Sequence, residues 1–240
     1  MNEILKVENL SISFGSNHVL CGLNMELYEN EVLGIIGPNG AGKTVLLNIL
    51  SGILKPTAGK IWFMGEDITN RSVVERTRKG FGRTFQVPRS FENMTAYENS
   101  LVGAAFGDDC KEKDCLEISS DILDLIGLNR RKQDFARKLG LLDRKRLEIG
   151  IALASRPKLL LLDEVAGGLT ESELTDVLEI VQNIKAAGIG VIWIEHVLQT
   201  MVDGTDRVLL LAEGRDIVSG LPREIMNSKE VEEIYLGTDE

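Results

Sequence analysis

A glycine-rich segment near residue 40 has the composition and spacing of a phosphate-binding loop. Residues 37–44 are Gly-Pro-Asn-Gly-Ala-Gly-Lys-Thr, which matches the pattern G-x-x-x-x-G-K-[ST] at every fixed position. Glycine lets such a loop wrap closely around an anion, so that successive backbone N–H groups point at a phosphate. Lys43 would then reach the β- and γ-oxygens of a nucleoside triphosphate, and Thr44 would ligate Mg²⁺. The predicted nucleotide contacts are Gly37, Pro38, Asn39, Gly40, Ala41, Gly42, Lys43 and Thr44.

Two acidic residues close an apolar run near residue 160. Four leucines at 159–162 are followed by Asp163 and Glu164. The run predicts a buried strand whose carboxyl end lies beside the phosphate loop. Asp163 would bind Mg²⁺ through water, and Glu164 would polarise an attacking water as a general base. An acidic pair at a strand end is by itself usually the start of a solvated loop, so it is the phosphate loop that favours the catalytic interpretation.

Two further polar residues follow predicted strands. His196 comes after the apolar run that ends in Glu195, and Gln86 follows residues 81–85. The imidazole of His196 is suited to contact a γ-phosphate, and the amide of Gln86 is suited to contact Mg²⁺ or water. Taken alone, a structural histidine and a surface glutamine are the more ordinary interpretations.

Hydrophobic periodicity predicts the elements that must position these residues. Alternating or continuous apolar runs predict strands at 3–13, 19–28, 31–36, 59–64, 81–85, 159–163, 190–194 and 207–211. Helical spacing predicts helices at 42–50, 171–187 and 197–201. The first two strands would form a β-hairpin, and Pro222 is well placed for the first turn of a short helical pair in the tail.

The order of these elements predicts the fold class. After residue 158 strands alternate with helices, as in an α/β fold whose parallel sheet has helices on both faces. Residues 87–156 instead carry helical periodicity, so a mostly helical insertion interrupts the α/β core. The helical faces predicted there are Leu116, Ser120, Leu123 and Ile126, and then Leu147, Ile151 and Ala154.

The composition indicates an ordinary folded chain. Of 240 residues, 43% are hydrophobic and 27% are charged, which argues against disorder and against a fibrous repeat. The formal charge of −10 would repel a phosphate backbone, so no nucleic acid is expected as a partner. No window approaches the about 18 consecutive apolar residues of a membrane span, and the first residues lack the pattern of a secretory signal. We therefore expect a cytosolic chain.

The cysteines also fit a reducing compartment. Cys21, Cys110 and Cys115 cannot form a complete set of disulfides. Cys110 and Cys115 lie in a charged stretch without a nearby histidine, so we interpret the pair as ordinary surface sequence and not as a metal site.

Four motifs in a fixed order carry a family resemblance. They are the phosphate loop, Arg-Thr-Phe-Gln at 83–86, the leucine run with its two acids at 159–164, and Glu-His at 195–196. In this order they resemble the nucleotide-binding subunit of an ABC transporter, over essentially the whole chain. The residues that follow the phosphate loop, together with 83–86, 94–99 and 231–237, further resemble the subunits that serve branched-chain amino acid importers.

The resemblance implies a fold and a division of the chain. The expected fold is α/β, with a P-loop NTPase (RecA-like) core, an N-terminal antiparallel β subdomain and an inserted α-helical subdomain. Residues 1–240 would form a single ABC ATPase domain. Within it, 1–87 and 157–221 would form the nucleotide-binding core with its β subdomain, 88–156 the helical insertion with a signature segment, and 222–240 a helical tail.

The resemblance also implies residue roles and partners. Phe14 would stack on the adenine of ATP, Gln86 would be the Q-loop residue that signals to the permease, and His196 would be the switch histidine. Lys43, Glu164 and His196 would carry the catalysis, while Mg²⁺ would be held by Thr44, Gln86 and Asp163. A second ATPase subunit, in a homodimer or a heterodimer, would enclose the nucleotide. Integral membrane permease subunits, and indirectly a substrate-binding protein, would complete the transporter at the cytoplasmic face of the cell membrane.

One departure from the family pattern falls in the signature segment. Where the family usually has Leu-Ser-Gly-Gly-Gln, residues 139–143 are Leu-Gly-Leu-Leu-Asp, so the serine hydroxyl and the glutamine amide are missing. In the family this segment caps the γ-phosphate bound to the opposite subunit, a role that would fall to Gly140, Leu141, Leu142 and Asp143. Asp143 would bring a negative charge towards the triphosphate, and the loss of one transition-state donor costs about 3 kcal/mol.

Three neighbouring positions bear on this departure. Val165 stands where proline usually follows the glutamate, a change that we expect to be tolerated. Lys145 and Arg146 follow the signature segment directly, and they would either offset the charge of Asp143 or form a solvated helix face. We favour the solvated face.

Two main functional hypotheses follow. The first is an ATPase subunit that drives a permease, and the second is an ATP-binding regulatory or structural subunit whose altered signature scarcely supports turnover. The acidic charge, the single nucleotide domain and the absence of a coiled-coil insertion disfavour a soluble ABC-type ATPase acting on DNA or ribosomes. A GTPase is less favoured still, because no Asn-Lys-x-Asp segment is found.

Overall fold

The computed structural model describes residues 2–107 and 111–236. The strands are β1 Glu3–Phe14, β2 Asn17–Tyr28, β3 Val32–Ile36, β4 Ala58–Phe63, β5 Glu66–Asp67, β6 Phe81–Arg83, β7 Leu159–Asp163, β8 Gly190–Ile194, β9 Arg207–Ala212 and β10 Arg215–Gly220. The helices are α1 Lys43–Leu50, α2 Val73–Arg78, α3 Ala96–Gly107, α4 Glu112–Leu125, α5 Leu141–Ala154, α6 Glu171–Ala186, α7 Leu198–Gly204, α8 Pro222–Met226 and α9 Lys229–Leu236.

The central sheet brings three strand ends to one edge. Its order is β10-β9-β3-β8-β7-β6, and all its pairs are parallel except the hairpin of β9 with β10. Every residue of β3, β7 and β8 is buried. The carboxyl ends of these strands therefore lie side by side, where ligands bind in open α/β sheets.

A second, antiparallel sheet packs on one face of the central sheet. Its order is β2-β1-β4-β5, and β1 and β2 form the predicted hairpin. Alternate residues of β3 serve the two faces: Leu33 and Ile35 join the core under the antiparallel sheet and α1, while Val32 and Ile36 join the core under the remaining helices. Because successive side chains alternate between two buried faces, every position of β3 is apolar.

The helical insertion lies between β6 and β7 and consists of α3, α4 and α5. The predicted inner face of α4 is partly wrong, because Leu116 is 43% exposed. The buried residues are instead Cys115, Ser119 and Leu123. Cys115 packs as a small hydrophobic residue, so the interpretation of this cysteine as surface sequence is also wrong. Cys110 lies outside the described residues.

Other boundaries differ by a few residues. The strand expected at 81–85 ends at Arg83, and the helix expected at 197–201 runs from Leu198 to Gly204. The elements α2, β5 and β10 are not predicted, because they are short and largely exposed, so that burial imposes little pattern on their sequences. The tail does form two helices, and Pro222 lies in the first turn of α8. Within residues 2–107 and 111–236, no helix has the length and apolarity needed to cross a bilayer.

A buried arginine closes the far end of α1. Arg76 is 1% exposed, and its guanidinium donates hydrogen bonds to five main-chain carbonyl oxygens. Two of these, on Ile49 and Leu50 at 2.7 Å, belong to the last turn of α1. Burial lowers the pKa of Arg76 to about 10, so the side chain stays charged at neutral pH. The cation thus pairs with the negative end of the helix dipole.

Replacing Arg76 should therefore destabilise the fold. We expect Arg76→Met to lower the free energy of unfolding by about 3 kcal/mol, because buried carbonyl groups lose a charged donor. Urea denaturation measures this change. Arg78→Met, on the exposed side of the same helix, is the control and should cost less than about 0.5 kcal/mol. Equal losses in the two variants would contradict the capping role.

Candidate functional site

The glycine-rich loop connects β3 to α1. Gly37, Gly40 and Gly42 have positive φ angles of 153°, 82° and 105°, so the chain turns back on itself before α1 begins at Lys43. A Cβ atom at Gly37 would lie 2.0 Å from the carbonyl oxygen of Leu211, so β9 leaves room only for glycine there.

The side chain of Lys43 crosses this loop. Its Nζ donates hydrogen bonds to the carbonyl oxygens of Gly37 at 2.6 Å and Pro38 at 3.0 Å. Burial lowers the pKa of Lys43, while the nearby carboxylates of Glu164 and Asp163 act in the opposite direction. The ammonium group is therefore held over the concave side of the loop, where it can meet a phosphate.

A cleft lies along the loop and brings several predicted residues together. It is lined by Asn17 and Val19 of β2, by Glu164 and His196, and by residues 39–45. Thr44 lies in this lining and is exposed. Phe14 does not line the cleft: it is half exposed at the end of β1.

Glu164 follows β7 and contacts the polar residues that follow the strands on either side of it, Gln86 after β6 and His196 after β8. Its Oε1 lies 2.7 Å from Nε2 of His196, and its Oε2 accepts a hydrogen bond of 2.5 Å from Nε2 of Gln86. The backbone of Glu164 has a φ of 51°, a left-handed conformation that is uncommon outside glycine and occurs often at functional sites. Three of the predicted catalytic and binding residues thus meet at one carboxylate.

Asp163 is buried beside Arg83, the first residue of the Arg-Thr-Phe-Gln motif, for which no separate role was predicted. Its Oδ2 lies 3.3 Å from Nη2 of Arg83, whose Nη1 donates to Asn48 and Ser51 at 2.8 Å. Burial raises the pKa of Asp163, and the positive charge of Arg83 opposes that rise. Arg83 ends the short strand β6, and an arginine next to buried strand residues is the sequence signal for such a partner, since buried arginines are paired.

The surroundings of Asp143 differ from the expectation. The carboxylate is paired with Arg131 and lies 3.6 Å from Nη1 of Arg146, which also bonds Asp176. The expected solvated face of Lys145 and Arg146 is wrong, because both side chains are largely covered by neighbouring elements. The charge of Asp143 is therefore neutralised within its own subunit.

The remaining signature residues lie at the start of α5. Gly140 is the N-cap, with no side-chain hydrogen bond, and is exposed. Leu141 is 49% exposed, whereas Leu142 is half-buried against the helical core. The first turn of α5 thus presents backbone N–H groups and an apolar side chain at the surface.

The tail helix reaches the phosphate loop. The hydroxyl of Tyr235 accepts a hydrogen bond of 3.0 Å from the main-chain N–H of Gly37, and burial raises the pKa of this tyrosine. The contact joins residues 198 positions apart, so no local sequence signal could have revealed it.

The fold and the site together define a nucleoside triphosphatase of the phosphate-loop class, with a helical insertion. Comparison with known proteins gives the family. The sequence model of the family described as "ABC transporter" matches residues 20–167. The chain belongs to this family, whose ATP-binding domains couple ATP hydrolysis to transport.

Named relatives cover almost the whole chain. The branched-chain amino acid transport ATP-binding protein BraF of Pseudomonas aeruginosa is 32% identical, over 98% of each chain. The lipopolysaccharide export system ATP-binding protein LptB of Haemophilus influenzae is 30% identical, over 98% of this chain and 97% of the relative. The predicted resemblance to the ATPases of branched-chain amino acid transporters is thereby confirmed.

Solved structures agree with the expected fold. An ATP-binding cassette of an ABC transporter in its ADP conformation superposes with a TM-score of 0.89 at 31% identity, covering 99% of this chain and all of the other. A nucleotide-free cassette gives a TM-score of 0.88 at 31% identity, over 98% of this chain and 99% of the other. The predicted α/β P-loop NTPase fold is confirmed.

Removal of the Tyr235 hydroxyl should change nucleotide binding at the phosphate loop. We expect Tyr235→Phe to weaken ATP binding about fivefold, because the N–H of Gly37 loses its acceptor and the loop relaxes. Titration with a fluorescent ATP analogue measures the dissociation constant. Tyr97→Phe removes a hydroxyl that bonds within the helical insertion, and it should leave the constant unchanged. Equal constants in wild type and Tyr235→Phe would show that the contact does not shape the loop.

Proposed function

We propose that this chain is the ATP-hydrolysing subunit of an importer and drives the uptake of a branched-chain amino acid, or a related small polar solute, through a membrane permease. The observation that carries the proposal is the contact of Glu164 with both Gln86 and His196 beside the phosphate loop. The identity to named amino acid transport ATPases supports the choice of solute.

Each residue has a defined part in hydrolysis. Lys43 would hold the β- and γ-phosphates, and Glu164 would take a proton from the water that attacks the γ-phosphorus. His196 would steady the charge on the transferring phosphoryl group. Because Gln86 and His196 hold the carboxylate of Glu164 from two sides, the base is oriented before the reaction begins.

The donor set fits a magnesium ion. Thr44, Gln86 and Asp163 offer a hydroxyl, an amide and a carboxylate oxygen, the hard ligands that Mg²⁺ prefers. In the described part of the chain, no group of three or more His, Cys, Asp or Glu side chains forms a metal cage. This suits an ion that takes its other ligands from phosphates and water. When bound, Mg²⁺ neutralises negative charge on the phosphates.

The nucleotide would be enclosed by a second ATPase subunit, either a copy of this chain or a relative. Gly140, Leu141, Leu142 and Asp143 would face the partner's nucleotide, with backbone N–H groups in place of the missing side-chain donors. The pairing of Asp143 with two arginines supports this role, because it removes a charge that would repel phosphate. Phe14, which lies outside the cleft but pairs with its lining residue Asn17, would stack on adenine.

An apolar groove supports docking to a permease. It runs between the α1–α2 side of the core and α3 of the insertion, beside the loop that carries Gln86. Its lining includes Ile53, Val73, Phe85 and Phe106, and Phe106 is 80% exposed. A short helix from the cytoplasmic side of the permease would fit this groove. This docking would hold the ATPase at the inner face of the membrane.

A second candidate function is a regulatory or structural ATP-binding subunit. The absence of serine and glutamine from residues 139–143 favours it, because the family resemblance implies that these two side chains act as donors to the γ-phosphate. An export system is a further alternative for the direction of transport, given the similarity to LptB.

ATP hydrolysis by the purified chain separates these functions. For the hydrolysing subunit, the rate per subunit should rise with protein concentration, because a second subunit completes each site. Glu164→Gln should lower the rate at least about 100-fold, since the base is lost. Glu179→Gln, an exposed carboxylate on α6, is the control. A slow rate that Glu164→Gln does not change, together with tight ATP binding, would favour the regulatory subunit.

Transport tests the groove and the solute together. The chain is reconstituted in liposomes with the permease and binding protein of its transporter, and uptake of labelled leucine is measured. Phe106→Arg should abolish uptake and leave the basal ATPase rate of the isolated chain intact, because a charge would block apolar docking. Leu116→Arg, exposed on α4 outside the groove, should keep both activities. Normal uptake with Phe106→Arg would refute docking at this groove.

A further inference from the structure

Three buried charged side chains surround the Glu164 contacts without touching its carboxylate. They are Lys145 and Glu148 of α5 and Glu195 at the end of β8, with exposures of 5%, 6% and 1%. Burying a charge is costly unless it is paired or hydrogen-bonded. Their contacts therefore indicate what they stabilise.

Lys145 holds the main chain of the catalytic loop. Its Nζ donates a hydrogen bond of 3.2 Å to the carbonyl oxygen of Glu164. Burial lowers the pKa of Lys145, while the charges of Glu195 and Glu164 oppose that shift. The bond falls on the peptide that directly follows the left-handed residue, where a fixed carbonyl fixes ψ of Glu164.

Glu195 holds the same loop one peptide further on. Its Oε1 accepts hydrogen bonds from the N–H of Ala166 at 2.5 Å and from the indole of Trp193 at 3.3 Å. Its Oε2 accepts from the N–H of His196 at 3.3 Å. One carboxylate thus ties the backbone of the Glu164 loop to the backbone of His196.

Glu148 holds the segment that carries Gln86. Its Oε2 accepts a hydrogen bond of 2.9 Å from the N–H of Arg89, and the carboxylate also accepts from the N–H of Phe85. Phe85 directly precedes Gln86 in the chain. Lys145 and Glu148 lie three residues apart on α5, so one helix face contacts both loops that meet at Glu164.

We propose that Lys145, Glu148 and Glu195 are positioning residues that fix the backbone around the contacts of Glu164 with Gln86 and His196. The inference deepens the proposed function, on which it rests. A non-glycine residue in a left-handed conformation persists only where its surroundings determine it strongly, and these side chains supply that restraint. Helix α5 begins at the signature segment, which would face the nucleotide bound to the partner subunit. A movement of α5 there would be passed by Lys145 to Glu164 of the same chain.

Lys145→Met tests the inference, because methionine fills similar space without a donor. We expect kcat for ATP to fall about tenfold while KM stays within about twofold, since the base is misplaced and the phosphate loop is untouched. Lys145→Arg restores a donor and should recover most of the rate. Lys185→Met, a surface lysine bonded to Asp206, is the control and should behave as wild type.

Hydrogen exchange supplies a readout that needs no turnover. In Lys145→Met the amides of residues 164–168 should exchange about tenfold faster, with those of 40–50 unchanged. Wild-type kcat together with unchanged protection would overturn the inference. If the wild-type chain hydrolyses no ATP, the proposed function fails, and exchange alone decides on the positioning. Should Lys145→Met not fold, Glu195→Gln takes its place, and wild-type exchange there would equally refute the proposal.

Discussion

The carboxylate of Glu164, shared between Gln86 and His196, is the interaction on which the site depends. The three residues lie on three separate segments, so their meeting requires the parallel order of the central sheet. In that order β7 lies between β8 and β6, which sets the residues that follow these three strands next to one another. A slip of one residue in the pairing of β7 with β8 would turn every side chain of β7 to the opposite face of the sheet and move Glu164 away from His196.

Charge in this site is organised through the main chain. Lys145, Glu148 and Glu195 bond carbonyl and N–H groups of the loops rather than forming close ion pairs with each other. Such an arrangement fixes backbone, whereas an ion pair would fix only side-chain ends. The carboxylate of Asp143 instead forms close ion pairs with two arginines, Arg131 and Arg146. In the proposed dimer, this pairing would leave the N-terminus of α5 free of an uncompensated negative charge.

The parts that the sequence predicted are those with local causes. The phosphate loop is one continuous segment that its spacing identifies, and the run of leucines places Asp163 and Glu164 at the end of a buried strand. The hairpin of β1 with β2 and the helix α6 follow from periodicity for the same reason. Their positions after predicted strands drew attention to Gln86 and His196, and the ABC transporter resemblance supplied the roles expected of them.

The parts that the sequence missed depend on distant neighbours. Lys145 has no distinguishing feature in the sequence, because its partner is the carbonyl group of Glu164 in the loop after β7. The partner of Arg83 is Asp163, 80 residues away. On α4 a cysteine and a serine occupy the buried face while Leu116 is exposed, an inversion that hydropathy alone cannot anticipate. The short strand β10 is stabilised by its hairpin with β9 and carries little apolar pattern of its own.

Helix α1 shows how these long-range contacts serve the chemistry. In the proposed function its N-terminus would present backbone N–H groups to phosphate, which requires the loop before it to keep its position as charge accumulates there. Arg76 donates hydrogen bonds to the last carbonyl groups of the helix, while the hydroxyl of Tyr235 in the tail accepts one from the first N–H of the loop. The helix is therefore restrained at both ends by residues that lie outside the glycine-rich motif. An eight-residue helix is marginal by itself, so its rigidity has to come from such tertiary contacts.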